Sequence, residues 1–487
     1  MTSSNRTPVL VGVGIATRRE DDFTKALEPM DLMLEAVAAA GKDCGAPSLL
    51  QDTQYIAVPR GRWKYSDPAG EIASTIGASA TTVLATVGVL QQTLIGEACR
   101  RIAEGECHTT LVTGADAGYR LLRAKIAGEW AEERSQETAP DILLAPKEEL
   151  RHPVEKRAGL VMPVGLYALM ESAYRAKRGW TVSEHRDRMA AMLANCSQIA
   201  AANPHAWNRE PASASRIRDA WERNPMQAFP YTRAHCSTWN VDQAAALLFC
   251  SAERASDLGI PKERWIYPLA STESNHMVPV SARVDLATCP GAEIASKAAL
   301  EAGDLTAKDV DLVELYSCFP LAIETYADAL GLPHTRDLTV TGGMPFAGGP
   351  YNNYVFQATC RAAELLRKGN GQTALISSVS GILTKQGFGL YSTSPGPNGF
   401  VHEDVTTAVA DEMGTREVAD SYSGPATIAG YTVLHGRGET SRGLLLADTV
   451  DGRRTLVTTT NPEILAAMES EELVGQMITV TENGFAA

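Results

Sequence analysis

The chain lacks most of the signatures that would fix a function at once. Its nine cysteines among 487 residues form no CxxC pair. None joins histidines at zinc-ligand spacing, so a metal centre readable from local spacing is excluded. An odd number of scattered cysteines in a chain of this size fits free, buried thiols in a reducing compartment. No basic patch offsets the net charge of -14, which argues against nucleic acid as a partner. No uninterrupted apolar run is long enough to span a membrane. The first apolar run, PVLVGVGIATR, is too short and too glycine-rich for a signal segment, so a cytoplasmic location is expected. That run contains GVG, but Thr17 stands where a dinucleotide fingerprint needs its third glycine.

What is present is ordinary for a globular protein: 44% hydrophobic and 21% charged residues. The length predicts two to four domains. Apolar runs of strand length alternate with helical periodicity in PVLVGVGIATR, EPMDLMLEAVAAAG, TQYIAVPR, TTVLATVGVLQQTLIGEACRRIAEGE and HTTLVTGADAG. This pattern predicts a layered α/β sheet. Between about 120 and 228 charge density rises and helical stretches dominate, as in YALMESAYRAKRGW, so a mostly helical insertion is expected there. After residue 290 the helix–strand alternation resumes, suggesting a second, similar α/β half. The tail turns β-rich, with ATIAGYTVLHG, SRGLLLADTV and MITVTENG set between Gly and Asp turns. A small barrel-like β domain is predicted. The expected units are 1–257, 258–418 and 419–487.

Four stretches carry a family resemblance. VELYSCF at 313–319 resembles the HDCF or NEAF motif of thiolases, and GGMPFAGGP at 342–350 resembles their GGxxxxGHP loop. FPYTRAHCSTWNVDQAAALLFCSAE resembles their acyl-binding segment. TVGVLQQTLIGEACRRIAEGE resembles the strand–loop–helix that holds the nucleophilic cysteine. The combination LYSCFP, TGGMPFAGGPYNNY and LTKQGFG is similar to thiolase-like acetyl-CoA acetyltransferases that carry an extra C-terminal OB-like domain. The resemblance implies a five-layered αβαβα fold made of two related halves, with a helical loop domain and a small C-terminal β-barrel. It implies acyl-CoA thioesters as substrate, no covalently bound cofactor, and a monomer or homodimer.

Thiolase chemistry needs a thiolate that takes the acyl group, a histidine that activates it, a second acid/base, and donors for two oxyanions. Aligned by the resemblance, those positions are largely vacated. The nucleophile position falls near Gly88, and Cys99 lies far along the helix body. Gly349 stands at the histidine position. Ser377, Ser378 and Ser380 stand where the second cysteine belongs, and Gln386 replaces a further histidine. Cys318 corresponds to the cysteine of HDCF and Tyr316 to its histidine. The catalytic candidates are therefore Cys318, Tyr316, Tyr351 and Asn353, with Gly349, Ser378, Ser380 and Gln386 as loop or oxyanion groups. Tyr316 and Tyr351 are expected on converging loops, as in thiolase-like retro-aldolases. His235, His276, Met162 and Pro163 are weaker candidates. Three functions stay open: an acyl-CoA acyltransferase, a carbon–carbon lyase using the two tyrosines, and a non-catalytic acyl-CoA binder.

Overall fold

The computed structural model describes residues 3–436, 440–481 and 484–486. Its first part runs β1 (Pro8–Thr17), α1 (Pro29–Asp43), β2 (Tyr55–Pro59), α2 (Pro68–Ile76), β3 (Thr81–Ala85), α3 (Gln91–Glu104), β4 (Thr109–Ala117), α4 (Gly118–Ala127) and β5 (Ile142–Leu144). Proline at the first helical position opens α1 and α2, where the missing N–H costs nothing. Gly105, in a left-handed conformation, ends α3. The insertion supplies α5 (Pro153–Arg157), α6 (Pro163–Arg178), α7 (Val182–Ala202), α8 (Ala214–Arg218), β6 (Met226–Ala228) and β7 (Tyr231–Thr232). A capping box between Thr181 and Glu184 starts α7.

The middle of the chain gives β8 (Asp242–Ser251), α9 (Ala252–Asp257), β9 (Tyr267–Ser274), α10 (Pro290–Ala302), β10 (Leu312–Glu314), α11 (Pro320–Ala329), α12 (Tyr354–Arg367), β11 (Thr373–Ser380), β12 (Lys385–Ser392), β13 (Val401–Asp404) and α13 (Thr406–Glu412). The tail adds β14 (Gly424–Leu434), β15 (Arg442–Thr449), β16 (Arg454–Thr459), α14 (Pro462–Ser470), β17 (Met477–Thr481) and β18 (Gly484–Ala486).

The repeat suggested by the sequence is explicit in the topology. In the first sheet, β1, β8, β4 and β2 lie side by side, joined antiparallel, antiparallel and parallel. In the second sheet, β9, β12, β11 and β10 lie side by side with the same three relations. Each half sends one 14-residue helix, α3 or α12, into the layer between the sheets. There α3 packs on β4 and β9, and α12 on β8 and β11. The outer layers are α1 against β1 and β8, and α10 against β9 and β12. This is the five-layered α/β arrangement. Strands buried on both faces, such as β8, are continuous apolar runs for that reason.

The insertion, expected to be mostly helical, also carries short strands. Its three-residue β5 returns to the first sheet and lies parallel to β3 at the sheet edge. Its far end, β6, pairs with β14 of the tail. The tail strands form a third sheet in the order β16-β15-β14-β17-β18. The two end strands, β16 and β18, also touch. This sheet is seated on α6. The Tyr431 N–H donates to Ser172 Oγ at 2.8 Å, and buried Arg175 reaches Tyr431 Oη at 2.6 Å and Glu472 at 2.8 Å.

Candidate active site

The repeat brings the N-termini of α3 and α12 together in the central layer. Neither helix has a side-chain cap from its own N-cap residue, and the Val355 N–H in the first turn of α12 is taken by Gln91 of α3. Gln91, the first residue of α3, joins the two ends. Its Oε1 accepts the Val355 N–H at 2.7 Å, and its Nε2 lies 3.5 Å from Asn352 Oδ1. The Gln91 amide also lies near the Tyr316 phenol and partly counters the effect of burial on its pKa. Tyr316 lies two residues beyond the end of β10. Its N–H donates to Ser377 Oγ at 2.8 Å, and its ring meets Tyr354 edge-on at 5.6 Å. Burial pushes the phenol's pKa well above its ordinary value, so Tyr316 stays a protonated donor.

The loop from Gly342 to Tyr354 is held from below by Glu314. This fully buried carboxylate accepts the Val340 N–H at 2.7 Å and the Thr341 N–H at 2.9 Å, and also takes Thr339, Thr341 and Tyr354 hydroxyls. The loop's Gly349 has a tight environment. A Cβ built there would lie 2.0 Å from Ser237 Oγ and 3.0 Å from Met344 Cε. The space a histidine would need is filled by Ser237. Asn353 is 1% exposed, and neither polar atom of its amide finds a hydrogen-bond partner among the described residues. Gly114 on β4 leaves room for that amide, since a Cβ there would come within 2.8 Å of it.

Tyr351 does not meet Tyr316. It sits in the left-handed region at φ 44° and its ring lies outward beneath the Arg62 guanidinium, 5.9 Å from the ring centre. Arg62 is itself fixed by buried Asp116. The expected convergence of the two phenols is therefore corrected: the aromatic partner of Tyr316 is Tyr354. Cys318 lies beside the Tyr167 hydroxyl, and burial pushes its thiol up to about 12. At neutral pH almost none of it is thiolate, the nucleophilic form. Cys99 is fully buried in the body of α3. His235 is buried inside the insertion, bonded through Nδ1 to the Thr232 N–H, and pushed down to about 3 by burial. Met162, half exposed, precedes α6, and Pro163 is that helix's first residue.

Strand alternation sorts the remaining candidates. Ser378 and Ser380 face the same side of β11, opposite Gly387 and Lys385 of β12. Ser378 Oγ is buried without a partner. Gln386 points to the other face, where its amide donates to Leu383 O at 3.2 Å and Cys289 Sγ at 3.1 Å. It therefore does not join Ser378, which corrects its expected loop role. Gly88 lies in the turn before α3, against Pro146, with φ 104°. The residue facing the site from this segment is Gln91, not Gly88.

Lys385 was not singled out by the sequence. It is 4% exposed, with Nζ 3.4 Å from Gly88 O and 3.9 Å from Glu148. Burial lowers its pKa, only partly offset by Glu148 and Glu273. His276, also lowered by burial, has Glu148 as its charged neighbour, and its carbonyl accepts the Thr384 hydroxyl at 3.0 Å. The turn before Lys385 is strained: Gly381, Ile382 and Leu383 all have φ near 60°. Buried Arg283 holds it by donating to Ile382 O at 2.6 Å.

The fold compares closely with one solved structure. A monomeric SCP2-thiolase like protein type 1 from Mycobacterium smegmatis is 28% identical, with a TM-score of 0.82 over 99% of this chain and 98% of that one. Residues 404–485 match the family described as thiolase-like protein type 1 additional C-terminal domain. The chain is thus similar to thiolase-like proteins in fold and in its C-terminal region. An acetyl-CoA acetyltransferase from Methanocaldococcus jannaschii is 29% identical over 156 residues, 32% of this thiolase-like chain and 37% of that relative. The match thus spans little more than a third of the curated relative. An Ltp2-ChsH2(DUF35) aldolase shares the fold, at 16% identity and a TM-score of 0.61 over 80% of this chain and 99% of that one.

Proposed function

We propose that this thiolase-like chain binds an acyl-CoA thioester where the N-termini of α3 and α12 meet, as an acyltransferase-type protein that forms no acyl-cysteine. The observation that carries the reading is Gly349 packed against Ser237 Oγ. The loop shape of a thiolase site is kept while the room for its histidine is taken by another side chain. The α3 N-terminus offers Gln91 in place of a thiol, and the Cys318 thiol is held protonated. The Asn353 amide, without a partner among the described residues, suits a thioester carbonyl or an enolate oxygen. Lys385, with its lowered pKa, is the group best suited to move a proton.

A carbon–carbon lyase is the second reading. It is favoured by the Tyr316 phenol held against Gln91, but it loses Tyr351 as a partner. One pair of assays separates them. The purified chain is given 3-ketoacyl-CoA with coenzyme A, and separately β-hydroxyacyl-CoA, while binding is followed by calorimetry. The proposal expects binding that weakens about tenfold or more in Asn353→Ala, with no cysteine-dependent thiolysis. Cleavage of the hydroxyacyl-CoA lost in Tyr316→Phe supports the lyase. Thiolysis lost in Cys318→Ala overturns the proposal.

A further inference from the structure

Away from the cleft, three ionisable side chains meet inside the protein. Glu171 on α6, His185 on α7 and Glu324 on α11 are each no more than 1% exposed. His185 Nε2 lies 3.1 Å from Glu171 Oε1 and 3.2 Å from Glu324 Oε1. Only the Glu324 contact has hydrogen-bond geometry. Among the described residues Glu171 Oε1 and Glu324 Oε2 have no hydrogen-bond partner, although both are buried. The other Glu171 oxygen is taken by the Tyr231 hydroxyl. Two buried carboxylates that face one imidazole and each keep one oxygen without a donor are costly in an interior.

We propose that Glu171, His185 and Glu324 form a structural site for a divalent transition-metal ion of the zinc class. The donors are His185 Nε2, Glu171 Oε1 and both oxygens of Glu324, which gives four ligands without a water. All three residues offer a ligand atom within 4.8 Å of one another. The two nitrogen–oxygen spacings are close to the ~3.3 Å between donors that share one ion at about 2.0 Å, with the two Glu324 oxygens, held closer together by their carboxylate, sharing one corner of a distorted site. A neutral imidazole and two carboxylates carry two negative charges, which a divalent ion cancels. Mixed imidazole and carboxylate donors suit zinc, cobalt, iron or manganese better than calcium or magnesium, which take mainly oxygen ligands. The Tyr231 hydroxyl orients Glu171 from outside the coordination sphere, as such partners commonly do. Bound there, the ion ties the inserted helices α6 and α7 to α11 of the second half. The three ligands are too far apart in sequence for any local motif.

The full chain is produced in zinc-supplemented medium, dialysed, and its metal content measured by mass spectrometry. About one zinc per chain is expected, falling at least tenfold in Glu171→Gln and Glu324→Gln. A wild-type crystal measured at the zinc absorption edge needs no variant. It is expected to show one anomalous peak about 2 Å from His185 Nε2 and both carboxylates. Wild-type protein without stoichiometric zinc or the peak overturns the proposal. The cluster is then an imidazolium beside two carboxyl groups that share a proton. Stoichiometric zinc unaffected by both substitutions also overturns it, by placing the ion elsewhere.

Discussion

Ser237 Oγ decides what residue 349 can be. Adding one carbon at Gly349 forces it within 2.0 Å of that oxygen. Gly349→Ala is therefore expected to destabilise the chain by about 1–3 kcal/mol. Adding Ser237→Gly should restore most of the loss, as read from urea midpoints; equal loss in the single and double variants contradicts the packing account. Asp242 makes a prediction in pH. Its Oδ1 accepts the N–H groups of Tyr119 at 2.9 Å and Arg120 at 3.0 Å, yet burial raises its pKa to about 6. An unfolded aspartate titrates near ~3.9. Between about 4 and 6 the folded state therefore binds the extra proton. Its stabilisation is full below about 4 and is lost as pH rises through 6. Relative to Asp242→Asn, the wild type should lose about 2 kcal/mol across that window. A constant difference in chemical denaturation at pH 4 and pH 6.5 contradicts this. At this scale the sequence showed what was absent, the thiol near residue 88 and the histidine at 349. It did not show Gln91, Ser237 or Lys385, because their roles come from burial and from partners more than 100 residues away.

The α3 and α12 helices are pseudo-equivalent elements whose N-termini meet at Gln91 and Val355. The turn at 381–383, just before Lys385, is left-handed. Two non-glycine residues in that region cost about 1–2 kcal/mol each, and Arg283 offsets the strain by donating to Ile382 O and Val278 O. Arg283→Met should therefore cost about 2–4 kcal/mol and speed hydrogen exchange around residues 381–385. Exchange rates unchanged there would remove Arg283 from this role. Helices and long strands were legible from periodicity, since α1, α3 and β8 are strongly patterned. The three-residue β5 was not. It lies in a charged stretch, and only pairing with β3 makes it a strand.

Across the whole molecule, two halves with the same strand relations enclose the site, and a third sheet is fastened to α6. The sequence suggested the halves from alternation alone, but only the strand order shows them as a repeat. In the first sheet β5 covers the outer edge of β3, leaving that edge unavailable to a second copy. Sedimentation should therefore find a monomer; a stable dimer contradicts the reading of that edge. The central claim, acyl-CoA binding without an acyl-cysteine, is tested most directly by intact-protein mass spectrometry after incubation with acetyl-CoA. The account predicts an unchanged covalent mass while acetyl-CoA binds at equilibrium. A stoichiometric acetyl adduct that disappears in Cys318→Ala would contradict it.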